Sequence, residues 1–239
     1  MTSTFQTFCH STDNDDHFHD ECGVFGIFNR TDAAALTTLG LHALQHRGQE
    51  AAGIVSYDGN QFFHERHQGL VGDTFTKQKI LDRLPGSRAI GHTRYSTTGG
   101  EGLRNIQPFF AEFSAGGFAI AHNGNITNAL TVQKKLQSKG ALFASTSDTE
   151  TVLHLIAFSQ AKNTVDKFID AITDLEGAYS LIALSEKKMI GARDPHGIRP
   201  LVLGKLDDSY ILASETCALD IIGAQYERDI EAGEVVVVS

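Results

Sequence analysis

Cys22 stands at a compositional boundary, where an acidic stretch ending in Glu21 gives way to the apolar run Cys22-Gly-Val-Phe-Gly-Ile-Phe28. A cysteine acts as a nucleophile when a base takes its proton and an oxyanion site receives the charge that its attack creates. If the Glu21–Cys22 bond were cut, the freed α-amine could be that base. An α-amine has a pKa of about 7.7–8.0 and a thiol one of about 8.5, so a proton passes readily between them near neutral pH. Taken alone, Cys22 is read more simply as a buried structural cysteine. His122-Asn123-Gly124-Asn125 follows a short apolar strand and could supply a side-chain amide and an unhindered backbone N–H, the two donors of an oxyanion hole. Asn-Gly is also the commonest kind of turn dipeptide. Arg94, in Gly91-His-Thr-Arg-Tyr-Ser-Thr97, ends a strand before a Gly-rich loop, where a guanidinium could clamp a carboxylate or face solvent. Asp148, in Ser147-Asp-Thr-Glu150, opens a helix; its carboxylate could cap that helix or hold an ammonium group. Arg47, in Leu44-Gln-His-Arg-Gly-Gln-Glu50, could raise the positive potential near a thiolate and lower its pKa, or end a solvated helix.

These residues need elements to position them. The apolar run after Cys22 reads as a buried strand. Asp32 can cap a helix from Ala33 to about Gln45, with Leu36, Leu39, Leu41 and Leu44 on its apolar face. Asp58-Gly59-Asn60 is a hairpin signal between strands at 53–57 and 61–65. Strands are expected at 89–94 and 117–121, the second ending before His122, and helices at 128–138, 148–160 and 165–175. Hairpins at 178–193 and 201–213, a short helix after Glu215 and a strand at 235–238 complete the pattern. Strands grouped at both ends around central helices predict an α+β fold rather than alternating βαβ units.

Composition narrows the function. The chain has 239 residues, 41% of them hydrophobic, enough for one sizeable core. Its formal charge of −9 disfavours binding to nucleic acid or to an anionic membrane surface, and no apolar run approaches the roughly 20 residues of a membrane span. Three cysteines, Cys9, Cys22 and Cys217, are too few and too scattered for a disulfide framework, so a reducing, cytoplasmic compartment is expected. Residues 1–21 lack Lys, Arg and an apolar core, and so resemble neither a secretory signal nor a transit peptide. They read as a disordered acidic lead-in carrying five of the 29 acids; without them the formal charge falls to about −4. His10, His17 and His19 could bind metal, but a solvated tail accounts for them as well. Ending on a hydrophobic strand suggests a domain of a longer protein.

Together these segments resemble the N-terminal class II glutamine amidotransferase domain of the amidophosphoribosyltransferase family. Seven landmarks fall in the family's order: Glu21 to Ile27, Leu44 to Glu50, Gly91 to Thr97, His122 to Asn125, Ser147 to Glu150, Asp194-Pro-His-Gly-Ile-Arg-Pro200 and Ser214-Glu-Thr-Cys217. The resemblance implies a four-layer αββα N-terminal-nucleophile hydrolase fold over residues 22–239, with two antiparallel sheets between helical layers and residues 1–21 as a removable propeptide. It implies that Cys22 is the nucleophile and its freed amine the base. Asn123 and the Gly124 N–H would form the oxyanion hole. Arg94, helped by Thr97, would take the α-carboxylate of glutamine, Asp148 its α-ammonium, and Arg47 would lie near the nucleophile. The Asp194–Pro200 signature would be a structural turn.

The implied reaction is hydrolysis of L-glutamine to glutamate and ammonia through a γ-glutamyl thioester. In the full-length enzyme the ammonia would convert phosphoribosylpyrophosphate to 5-phosphoribosylamine, the first step of purine synthesis. No phosphoribosyltransferase signature is present: Asp207-Asp208 lies in a hairpin turn with no phosphate loop after it. No cofactor is therefore expected in this chain; Mg2+ and a [4Fe-4S] cluster would belong to a C-terminal part, as would assembly into a homo-oligomer. Two competing readings are a glucosamine-6-phosphate synthase type of amidotransferase, and an unprocessed, catalytically silent regulatory domain.

Overall fold

A computed structural model describes residues 22–95, 102–114 and 116–239. The expected propeptide and Thr97 lie outside them.

The chain enters on β1 (Gly23–Phe28) and crosses to helix α1 (Ala33–Ala43). A single 3-10 turn, Gln45–Arg47, leads into the hairpin of β2 (Ala51–Tyr57) and β3 (Phe62–Gln68). The Asp58 carboxylate fixes that hairpin by accepting from the N–H groups of Asn60 (2.7 Å) and Gln61 (2.9 Å). Two one-turn helices, α2 (Val71–Thr74) and α3 (Gln78–Leu81), precede β4 (Arg88–Arg94). β5 (Phe109–Phe113) and the long β6 (Gly116–Ile126) are followed by α4 (Ala129–Gln137), α5 (Asp148–Phe158) and α6 (Thr164–Thr173). The chain closes with hairpins β7 (Gly177–Ser185)–β8 (Met189–Arg193) and β9 (Val202–Leu206)–β10 (Ser209–Ala213), then α7 (Cys217–Asp220), β11 (Gln225–Asp229) and β12 (Val235–Val238).

These strands form two antiparallel sheets, ordered β11-β9-β10-β1-β4-β2-β3 and β12-β8-β7-β6-β5. Side-chain alternation with period two gives each sheet two apolar faces. Val24, Phe28 and Ile90 of the first sheet pack between the sheets against Ala119, Ile182 and Leu184 of the second. On the outer faces, Phe25 and Ile27 pack against Leu41, and Phe118 and Ile120 against Val152 and Phe168. The result is the expected helix–sheet–sheet–helix order of an N-terminal-nucleophile hydrolase, an α+β fold.

The differences from the sequence reading have local causes. β6 does not stop at Ala121; it runs through His122-Asn-Gly-Asn, with Asn123 paired to Ser180 and Gly124 to Tyr179. The Asn-Gly pair is therefore part of a ladder and not a turn. Gly124 has φ +139°, and a Cβ there would lie 2.0 Å from the Ala178 carbonyl oxygen, so only glycine fits. Helix α1 ends at Ala43, short of Gln45. Asp32 sits at its N-cap without capping it, because its carboxylate accepts from Arg30 Nε (3.0 Å). The cap of α5 is Ser147, whose hydroxyl accepts from the Thr149 N–H, and Asp148 is left for other work. The Asp194 turn is structural, as expected: its carboxylate accepts from the N–H groups of His196 (3.0 Å), Ile198 (3.2 Å) and Arg199 (3.1 Å).

Helix α1 lies close on β1 at Gly40, where a Cβ would meet the Phe25 ring at 2.3 Å. Gly40→Ala is expected to lower stability by about 1–3 kcal/mol, the usual cost of overpacking, despite the better helix propensity of alanine. Urea unfolding checks this, and an unchanged midpoint would show that the α1–β1 contact has slack.

Candidate active site

Cys22 directly precedes the central strand of the first sheet and has φ +67°. Its backbone is held at both ends by one residue. The Cys22 N–H donates to the Arg47 carbonyl (2.8 Å), and Arg47 Nε donates to the Cys22 carbonyl (2.8 Å). The 3-10 turn places Arg47 there, and its side chain is only 1% exposed. A buried guanidinium needs a counter-charge, and Glu215, just after β10, forms an ion pair with it. Burial would raise the Glu215 pKa, but the hydrogen bond and charge of Arg47, with a smaller effect from His46, hold it below the usual range. The Cys22 thiol lies 3.7 Å from the Tyr95 carbonyl oxygen.

Cys22 opens onto a cavity of about 370 Å³ whose walls also include Arg94, Gly124 and Asp148. A thiol, a guanidinium, a bare glycine backbone and a carboxylate are thus brought together from β1, β4, β6 and α5. Asn123, the next residue along β6, is fully buried outside that lining, and neither its Oδ1 nor its Nδ2 has a hydrogen-bond partner. Arg47 does not line the cavity; it sits behind Cys22 as a backbone clamp. Its guanidinium is already paired with Glu215, so the structure gives it a positional task beside the electrostatic one expected from sequence.

Asp148 Oδ2 accepts from the Ile126 N–H at 2.9 Å, and its Oδ1 accepts from the Thr149 hydroxyl at 3.3 Å. Burial alone would raise its pKa. The charge and contact of His122, the Ile126 N–H and the Thr149 hydroxyl outweigh that and bring it to about 2. The first turn of α5 adds the favourable end of its dipole. The carboxylate is therefore ionised at every physiological pH.

Among the other residues of the cavity wall are His92, Gln107 and His122. The sequence motifs contain both histidines but assign them nothing. Gln107 Oε1 accepts from the His122 N–H (2.7 Å), and His92 Nε2 lies 3.1 Å from the His122 carbonyl oxygen. Period-two alternation in β4 carried the signal for His92: it shares a face with Ile90, so a polar residue stands at a core position. Among the described residues no three His, Cys, Asp or Glu side chains converge as a metal site.

The glutamine amidotransferase domain family matches residues 92–220, more than half of the chain, and the chain belongs to that family. Within it, the chain is 64% identical to an amidophosphoribosyltransferase of Rhizobium etli over 93% of its own length and 45% of that protein's. It is 51% identical to the chloroplastic amidophosphoribosyltransferase 3 of Arabidopsis thaliana, over 97% of itself and 44% of the relative. Its fold superposes on the B. subtilis glutamine phosphoribosylpyrophosphate amidotransferase, solved with ADP and GMP, with a TM-score of 0.86 at 42% identity. That match covers 91% of this chain and 47% of the other. The chain thus spans less than half the length of these relatives.

Burial, with help from the charges of His122 and Arg94, lowers the His92 pKa to about 3. The folded state keeps this imidazole neutral, while an unfolded chain protonates it below about pH 6.5. The unfolded state then binds more protons, so stability falls as pH drops through 6.5 toward 3, by about 2 kcal/mol at pH 5. Asp148, depressed from 3.8 to about 2, adds its own loss only below about pH 4. Urea unfolding at pH 7 and pH 5 is expected to show this difference, and His92→Gln to flatten it. An equal slope in the variant would mean that His92 is already protonated in the folded protein.

Proposed function

We propose that this chain is a glutaminase in which Cys22, exposed as the N-terminal residue by cleavage after Glu21, attacks the side-chain amide of L-glutamine. The observation that carries this reading is the convergence of the Cys22 thiol, Arg94, Gly124 and the ionised Asp148 on one cavity. Arg94, with Thr97, takes the α-carboxylate, and Asp148 takes the α-ammonium. The thiol proton passes to the freed α-amine, whose nitrogen already has an acceptor in the Arg47 carbonyl. The thiolate adds to the amide carbon, and the oxyanion is received by the Gly124 N–H and the Asn123 amide. A buried amide without partners costs about 1–3 kcal/mol, which is reasonable at a residue kept for a passing charge. The C–N bond then breaks, ammonia leaves with the proton held by the amine, and a γ-glutamyl thioester remains. Water, deprotonated by the same amine, releases glutamate and restores the thiol.

The relatives' names extend the reading to the whole protein: ammonia would displace pyrophosphate from phosphoribosylpyrophosphate and yield 5-phosphoribosylamine for purine synthesis. That half-reaction, homo-oligomer assembly, Mg2+ and any iron–sulfur cluster are assigned to the part of the relatives' length that this chain does not span. Cys22 and Cys217 are not joined in a disulfide, which is consistent with a cytoplasmic setting.

Intact-mass analysis of active protein is expected to show a chain starting at Cys22; a persistent full-length mass would exclude the amine as base. Cys22→Ala is expected to abolish hydrolysis and thioester trapping. Asn123→Ala is expected to lower kcat by about 10²–10³ with little change in KM, the usual cost of a lost oxyanion donor, whereas Asp148→Ala mainly raises KM. The opposite pattern would reverse the two roles.

A further inference from the structure

Asp148 is held by a chain of neighbours that the scheme above does not use. Its Oδ2 is fixed by the Ile126 N–H, while its Oδ1 accepts from the Thr149 hydroxyl at 3.3 Å and lies 3.5 Å from His122 Nδ1. His122 Nδ1 is also 3.1 Å from Thr149 Oγ1. These contacts settle the protons. An ionised carboxylate cannot donate, so the Thr149 hydroxyl gives its one proton to Oδ1. His122 Nε2 is buried with no partner, which favours the hydrogen on Nδ1, facing Thr149 Oγ1 and, farther off, Asp148 Oδ1. Thr149 is completely buried, and the His122 side chain is 1% exposed. The backbone of His122 is pinned too, its N–H by Gln107 and its carbonyl by His92. The order is therefore an imidazole N–H, a hydroxyl and a carboxylate; His122 and Asp148 line the cavity, and Thr149 is buried outside its wall.

We propose that Thr149 and His122 are positioning residues that orient the Asp148 carboxylate toward the α-ammonium group of the substrate, and so set glutamine affinity rather than turnover. This rests on the reading of Asp148 as the ammonium ligand. Neither residue reaches the scissile amide; both act through Asp148. Removing the hydroxyl takes one donor from Oδ1 and leaves the His122 N–H only its longer contact with Oδ1 at 3.5 Å. The carboxylate then samples orientations that miss the ammonium.

The test is steady-state glutaminase kinetics on the 239-residue chain. Thr149→Val keeps the shape and loses the hydroxyl; it is expected to raise KM for glutamine about tenfold with kcat within twofold. Thr149→Ser restores the donor and is expected to recover the wild-type KM. Glutaric acid monoamide has the same scissile amide and carboxylate but no ammonium, so Thr149→Val is expected to hydrolyse it as well as wild type does. If Thr149→Val does not fold, His122→Leu carries the same comparison, with His122→Asn as the rescue. An unchanged KM for glutamine, or an equal loss with the monoamide, would overturn the positioning role. Asp148→Asn separates the two claims. If it raises KM while Thr149→Val does not, the relay alone fails; if Asp148→Asn leaves KM unchanged, the reading of Asp148 fails.

Discussion

A single buried guanidinium ties Cys22 to the fold. Arg47 receives the Cys22 N–H on its carbonyl, returns a hydrogen bond to the Cys22 carbonyl, and takes its counter-charge from Glu215. Three segments far apart in sequence meet there: the entry to β1, the turn after α1 and the start of α7. Removing the Glu215 carboxylate would leave the Arg47 guanidinium buried without its counter-charge, which typically costs several kcal/mol. Cys22 therefore has one backbone setting rather than several, even though its φ lies in the left-handed region that non-glycine residues seldom occupy. Such a conformation persists only where the surroundings over-determine it.

The same economy governs charge inside the cavity. His92 is neutral because it is buried without a carboxylate of its own, and Asp148 is ionised because donors outweigh its desolvation. The two are linked through His122, whose carbonyl serves one and whose ring serves the other. Arg94, Asp148 and Cys22 stand on three walls of the same cavity. In the proposed reaction the two charges of glutamine are taken by the first two, so that binding and orientation become one event, the condition under which proximity contributes most to catalysis.

Much of this was legible in the residues. The apolar run after Cys22, the Asp58 hairpin and the strand-rich ends gave the layers, because burial and turn chemistry are local signals. Of the residues proposed from sequence, Cys22, Arg94, Gly124 and Asp148 do line one cavity, Asn123 adjoins it, and Arg47 stands behind the thiol. What escaped was set by tertiary pairing. β11, Gln225–Asp229, is exposed along its length and has no apolar alternation; it is a strand only because β9 offers it a ladder. β5 is too uniformly aromatic to show a period. The continuation of β6 through Asn123-Gly124 contradicts the turn propensity of that dipeptide, since cross-strand bonds to β7 outweigh a local preference. The Arg47–Glu215 pair spans 168 residues, a separation at which no local pattern operates.

The placement of β1 has a consequence for the order of events during synthesis. Its two partners in the sheet are β4 and β10, with Phe25 opposite Gly91 on one side and Ala213 on the other. The strand that follows Cys22 is made before either partner and gains its second neighbour only after about 185 further residues have followed it. At roughly 5–20 residues per second, that wait is on the order of 10–40 seconds. Until then an apolar segment has one edge unsatisfied, a state in which nascent chains attract chaperones and misplaced strands. The surroundings of Cys22 are thus completed late, only when β10 closes the second edge of β1.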